Sequence, residues 1–215
     1  MAIPNPCIQI PTTGRLRTEK RRTQIVEVAI CLISHHGLRE FKAARIAEAL
    51  GVTTGALFRH FESMAEIADA VVAHIENLLF AESLPSVDHP LERLEAFFKQ
   101  RVQVIHDHPA ISRILLSDQV IDSAEFECFK QLREFRKRTG KFIKQCIEDA
   151  LQQQLLNGIV SAEDAAVLVV GAVFALAHSP VQPGDAIALH KQGDRIWRVL
   201  YHNLTGEFLS SHGDG

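Results

Sequence analysis

An all-α fold is predicted by three features of the chain. The eight prolines, at 4, 6, 11, 85, 90, 109, 180 and 183, leave two long proline-free tracts, 12–84 and 110–179. Within those tracts apolar residues return at i, i+3, i+4 and i+7, the repeat of a helix with one buried face. Runs of alternating β-branched residues are scarce, and Tyr and Trp occur once each. These features predict about nine helices and no strand. No repeat of 20–50 residues, which would signal a solenoid, is visible.

Each helix has its own signature. Ile25, Val28, Ala29, Leu32 and Ile33 set a helix over 18–36, which Gly37 ends. Two short helices are expected within 41–67. Ala43–Leu50 turns Ile46, Ala47 and Leu50 inward, and a second helix over about Thr54–His60 buries Leu57 and Phe61. Gly51 fits a turn that needs a positive φ, and the hydroxyl of Thr53 or Thr54 can cap the helix that follows. Ile67, Val71, Ile75, Leu78 and Leu79 mark the next helix, which ends before LPSVDHP. Leu91, Leu94, Phe97, Phe98, Val102 and Ile105 mark another, broken at His108-Pro109. Residues 122–156, rich in Phe and Lys/Arg, read as one long helix stopped by Asn157-Gly158. Helices over 161–178 and 185–205 follow, separated by SPVQPGD.

With 215 residues, 47% hydrophobic and 23% charged, the chain can bury a substantial core. The net charge of −3 hides an asymmetry: residues 1–61 carry nine Lys/Arg against four Asp/Glu, and the rest is acidic. A basic front suggests that this end meets a polyanion. The four cysteines, at 7, 31, 128 and 146, form no C-x-x-C pair, which argues against a disulfide framework or structural zinc and for a cytoplasmic setting. Residues 1–14 lack the apolar segment of a signal peptide and read as a disordered tail. The apolar stretch Ala165 to Ala177 is 13 residues, short of the roughly 20 that span a membrane. No nucleophile elbow, P-loop, dinucleotide fingerprint or H-E-x-x-H is present, so nothing supports an enzyme and no cofactor is expected. His106-Asp107-His108 invites a metal reading, but consecutive helical residues face different ways, and the group fits a polar helix end better.

Function concentrates in FKAARIAEALGVTTGALFRHFESMAEI, residues 41–67. Small Ala47 sits where two helices touch, Gly51 follows at the turn, and Leu57 plugs the core, a helix-turn-helix spacing over about 42–61. The second helix then exposes Thr54, Gly55, Phe58, Arg59 and His60, and its small first residues allow close approach to a major groove.

The run IAEALGVTTGALFRHFES resembles the DNA-binding domain of the TetR/AcrR transcriptional regulators, the likeness extending from near Arg17 to about Ala70. HPAISRILLSDQ is similar to a region of several members. The resemblance implies a DNA-binding domain over 15–65, an effector-binding and dimerisation domain over 66–210, a homodimer, and a small effector. Three departures stand out: Lys42 where the family usually has Thr, Phe58 where a Tyr hydroxyl meets phosphate, and Met64 where Lys is common.

The expected partners are double-stranded DNA with a palindromic operator, a second copy of the chain, and a small hydrophobic effector, with no membrane. The candidate DNA contacts are Lys42, Arg45, Thr53, Thr54, Gly55, Phe58, Arg59 and His60, with Arg21 and Arg22 from a basic arm that also holds Arg15, Arg17 and Lys20. Candidate effector residues are Phe97, Phe98, Phe129, Phe142, Phe174 and His178. Gly171, Ala172, Ala175, Ile196, Trp197 and Leu200 are expected at the dimer interface, forming a four-helix bundle across the two-fold. The leading expectation is a repressor released from DNA by its ligand. The rival is a DNA-bound scaffold that recruits a protein partner, as in the family's nucleoid-occlusion branch.

Overall fold

The computed structural model describes residues 18–80, 84–157, 161–177 and 186–207. The tail over 1–14, Arg15, Arg17 and His178 lie outside them. Ten α-helices and no strand occur among the described residues: α1 Thr18–His36, α2 Ala43–Leu50, α3 Thr54–Leu57, α4 Met64–Phe80, α5 Pro90–Asp107, α6 Pro109–Leu116, α7 Asp118–Ile121, α8 Gln131–Gln152, α9 Ala162–Ala177 and α10 Ala186–Thr205. No described helix is long and apolar enough to cross a membrane.

Packing divides the chain into two units: Met1–Leu78 with Ala110–Phe135, and Leu79–Pro109 with Arg136–Gly215. This partition differs from the sequence expectation of one boundary at 65/66, because 110–135 packs with the amino-terminal helices.

In the first unit α1 is the central rod. From Ile25 to Ile33 all but Glu27 are buried. Gly37, at φ 75°, closes it with its N–H on the Ile33 carbonyl at 2.9 Å. The tight turn Leu38–Glu40 then leads to buried Phe41. Phe126 and Phe129 meet the Phe41 ring edge-on, at 5.0 and 6.1 Å between centroids.

The expected single helix over 122–156 is broken. Ser123 Oγ accepts the N–H groups of Glu125 and Phe126 at 3.2 and 3.4 Å, a side-chain turn that competes with helical bonding. A short 3-10 turn, Glu127–Lys130, precedes α8. Cys128 therefore sits outside α8 and does not share a helix face with Cys146. Both are free thiols, and burial, aided by the nearby Asp69 carboxylate, pushes the Cys128 thiol up to about 12.

The second unit packs α5, α9 and α10 on one another. Leu94, Phe98, Val102, Val169, Val173 and Trp197 belong to its core, each worth about 1.5–3 kcal/mol of burial, more for the aromatics. α5 starts with Pro90 at its first turn and His89 as cap, the ring nitrogen accepting the Glu92 N–H at 3.4 Å, and it stops before Pro109.

Candidate nucleic-acid interface

The reading head is assembled by local rules. α2 buries Ile46, Ala47 and Leu50. Gly51 ends it in the left-handed region, φ 65° and ψ 32°, and the next N–H, of Val52, reaches back to the Ala47 carbonyl at 2.9 Å. Thr53 caps α3, its hydroxyl accepting the Ala56 N–H at 3.1 Å. That leaves the hydroxyl proton of Thr53 free to donate, for instance to a phosphate oxygen. Leu57 and Phe61 are 1% and 2% exposed, the anchors that the spacing predicted.

α3 is shorter than expected. It ends at Leu57, with Phe58 as its cap and Arg59 and His60 on the turn beyond. Thr53, Thr54, Gly55, Phe58 and Arg59 are exposed along one edge, whereas His60 is half-buried and its Nδ1 is buried without a partner. Lys42 is exposed at the cap position of α2, where its side chain makes no capping bond.

Two candidate phosphate contacts are engaged inside the head instead. Arg22 reaches 44 residues along the chain to Glu66 at 2.9 Å, bonds the His60 carbonyl, and stacks 3.9 Å over the Phe61 ring. The Glu66 carboxylate also accepts the Glu62 N–H at 2.5 Å, while Ser63 accepts the Glu66 N–H at 3.2 Å. The S-x-x-E start of α4 is thus a variant capping box, shifted one residue outward. The Glu62 N–H and the Arg22 guanidinium hold the Glu66 carboxyl below its ordinary value of 4.5. Arg45 is paired with both Glu40 and Glu48 at 2.6 Å, so its charge is locally balanced. Arg21 bonds Gln24 at 3.1 Å and lies beside the head at the start of α1.

The glycines make a test. A Cβ at Gly51 meets nothing within 4 Å, but the positive φ strains any L side chain, so Gly51→Ala is expected to destabilise the head by about 1–2 kcal/mol. Gly55 has no such constraint, and its nearest atom would be Thr53 Oγ1 at 3.9 Å. Gly55→Ala is therefore expected to keep or raise the melting temperature while weakening DNA binding through lost close approach. Thermal melts and operator titrations on the two variants separate the roles. Equal DNA affinity for Gly55→Ala would remove it from the contact surface.

The remaining candidates divide by location. Phe97 and Phe98 are fully buried in the second unit, with Phe142 packed 5.1 Å from Phe97 and Phe174 partly buried on the same core. Phe129 belongs to the first unit, against Phe41 and Phe126, and not with that group. Trp197 and Leu200 are 1% and 8% exposed and lie in the protomer's own core, so they offer no area to a second copy. Ile196 and Ala172 are half-buried, and Gly171 and Ala175 are exposed. Sequence reasoning missed Val167 and Leu168, 71% and 49% exposed on α9, which share that outward stripe. Their signal was the i, i+4, i+8 spacing of Val167, Gly171 and Ala175.

Residues 25–71 match the model of the bacterial regulatory proteins, tetR family. The HTH-type transcriptional repressor KstR2 of Mycobacterium tuberculosis is 26% identical over 140 residues, 64% of this chain and 70% of the relative. Nucleoid occlusion factor SlmA of Haemophilus influenzae is 26% identical over 114 residues, 51% of this chain and 52% of its own. Among solved structures, the ketosteroid transcriptional regulator KstR2 of Mycobacterium tuberculosis has a TM-score of 0.75 at 21% identity, covering 92% of this chain and 100% of that one. AibR in complex with isovaleryl coenzyme A and operator DNA has a TM-score of 0.68 at 19% identity, covering 84% and 98%. At those identities the structures speak for the fold, and the head is carried by its own motif. Over residues 25–71, the segment that holds the helix-turn-helix, the chain is thus similar to the tetR family of bacterial regulatory proteins.

Proposed function

We propose that the protein is a homodimeric repressor that holds a palindromic operator and lets go when a small, largely apolar ligand binds its second unit. The observation that carries the DNA half is the exposed edge Thr53–Gly55 with Phe58 and Arg59, set on a head whose interior is fully packed. Small residues at that edge would admit the backbone close to base edges, and the exposure of Arg59 beside them supports its reading as a base contact. The dimer half is supported by the outward stripe of α9, where Val167, Leu168, Gly171 and Ala175 form an apolar, small-residue face. Two heads held one helical turn apart match a two-fold operator. The ligand half is supported by aromatic packing around Phe97, Phe142 and Phe174 and by AibR, a fold relative solved with isovaleryl coenzyme A and operator DNA.

The test is binding to DNA from upstream of the protein's own gene, against a scrambled duplex, across a salt series. A preference of about 10³-fold with two chains per site is expected. Arg59→Ala should relax sequence preference, whereas Arg21→Ala should weaken all duplexes alike and flatten the salt slope by about one. Weak binding to both duplexes, equally salt-dependent, defeats the operator reading.

A second reading, a DNA-bound scaffold for a protein partner, draws on the likeness to SlmA. It requires that no small molecule release the operator complex.

A further inference from the structure

A buried arginine with no acid paired to it among the described residues is the least expected group in the second unit. Arg101, on α5, is 4% exposed. Its Nη1 donates to the Leu79 carbonyl at 2.9 Å, but Nε and Nη2 are buried with no hydrogen-bond partner among the described residues. The Phe97 ring lies 5.0 Å from the guanidinium carbon and the Phe80 ring 5.3 Å. Arg138 stands 3.9 Å over that same Phe80 ring, so a second cation shares the neighbourhood. Burial and Arg138 push Arg101 down to about 10, which leaves it charged at neutral pH.

Aromatic faces offset only part of the lost hydration of a guanidinium. Two nitrogens, carrying three N–H donors, therefore remain to be satisfied in an apolar setting, and a neutral ligand does not balance the charge. We propose that Arg101 is the anion-recognition residue of an effector site: the ligand of this protein is an apolar molecule bearing a carboxylate or phosphate, whose oxygens take the free Nε and Nη2 hydrogens. The proposal deepens the effector half of the function above and rests on it only for what the ligand does to DNA binding. Phe97 and Phe80 would supply the apolar walls.

The experiment uses the full chain and three probes of equal chain length: octanoate, octyl phosphate and octanol. Trp197, the single tryptophan, is buried with its ring 5.6 Å from that of Phe98 and serves as an internal fluorescence reporter alongside thermal shift. At least one anion is expected to bind about 10–100-fold more tightly than octanol, the worth of a charge-assisted pair out of water. The probe that wins distinguishes carboxylate from phosphate. Arg101→Gln, which keeps a donor for the Leu79 carbonyl, should erase that preference, so that the anions bind no better than octanol does to the same variant, and Arg101→Lys should keep part of it.

If neither anion binds better than octanol, or if Arg101→Gln binds them as wild type does, the proposal is overturned. Should Arg101→Gln fail to fold, the comparison of probes on the wild-type chain still decides. Operator titrations in the same samples keep the two readings apart. An anion that binds through Arg101 without releasing DNA sinks the release mechanism and spares the site. A neutral compound that releases DNA while anions do not bind sinks the site and spares the mechanism.

Discussion

Replacing Val167 and Leu168 together by arginine is expected to turn the protein into a folded monomer that has lost most of its grip on the operator. Both side chains point away from the protomer's core, at 71% and 49% exposure, so the fold loses almost nothing when they become polar. In a dimer the same positions would place two guanidinium groups per protomer inside an apolar seam, unpaired and facing their copies. Loss of the dimer removes the second head from the DNA. Binding two half-sites through one linked molecule gains about 10²–10⁴ over a single head, and that factor is what the variant should forfeit. Sedimentation velocity at micromolar concentration reads the first consequence and an operator titration reads the second. A double variant that still sediments as a dimer places the interface elsewhere on the protein.

Phe61→Ala is the second large effect, and it acts on the head. Phe61 is 2% exposed and carries Arg22 on its face at 3.9 Å. Truncation is expected to remove about 3–5 kcal/mol, a large part of the stability of a domain this size. DNA binding should vanish while the second unit keeps its helices, so the melt followed by circular dichroism separates into two steps. A melt that stays single and unshifted would mean that the ring is not an anchor.

The same brace has a pH signature. Because the native Glu66 carboxyl titrates below 4.5 while the unfolded chain keeps the ordinary value, unfolding takes up a proton in the interval between them. The stabilisation is complete above the ordinary carboxylate range and is lost as pH falls through the depressed native value. Arg22→Met is therefore expected to melt earlier near neutrality and to show a weaker acid dependence over that interval. Its salt slope on DNA should stay near wild type. A slope reduced by about 0.9 would make Arg22 a phosphate contact after all.

Much of this architecture was legible in the residues. The inward faces of α1 and α2, the anchors Leu57 and Phe61, and the break at His108-Pro109 follow from periodicity and from turn chemistry that acts within a few positions. What escaped depends on partners far along the chain or on a competing local bond. Arg22 reads as one of a basic series because Glu66 lies 44 residues away. The stop after 121 carries no Gly or Pro, and only the hydroxyl of Ser123, taking two backbone N–H groups, interrupts an otherwise helical pattern. Trp197 is expected at the dimer interface beside Ile196, yet Leu189, Gly193, Trp197, Leu200 and Leu204 recur at helical spacing and form the inward stripe of α10. Arg101 carried the clearest unused signal, a charge four residues after Phe97 and four before Ile105 on an inward face.

A reading head can be exchanged by a single cut and splice only where it is one continuous segment. Here such a graft would go wrong, because the first unit is discontinuous: Phe41 is roofed by Phe126 and Phe129, which arrive some 85 residues later in the chain. A chimaera joined after α4 would carry the DNA-facing residues but inherit a foreign roof over Phe41, leaving its ring against ill-fitting neighbours. Swapping specificity therefore means transplanting two segments at once, or else confining the exchange to the exposed residues between Thr53 and Arg59.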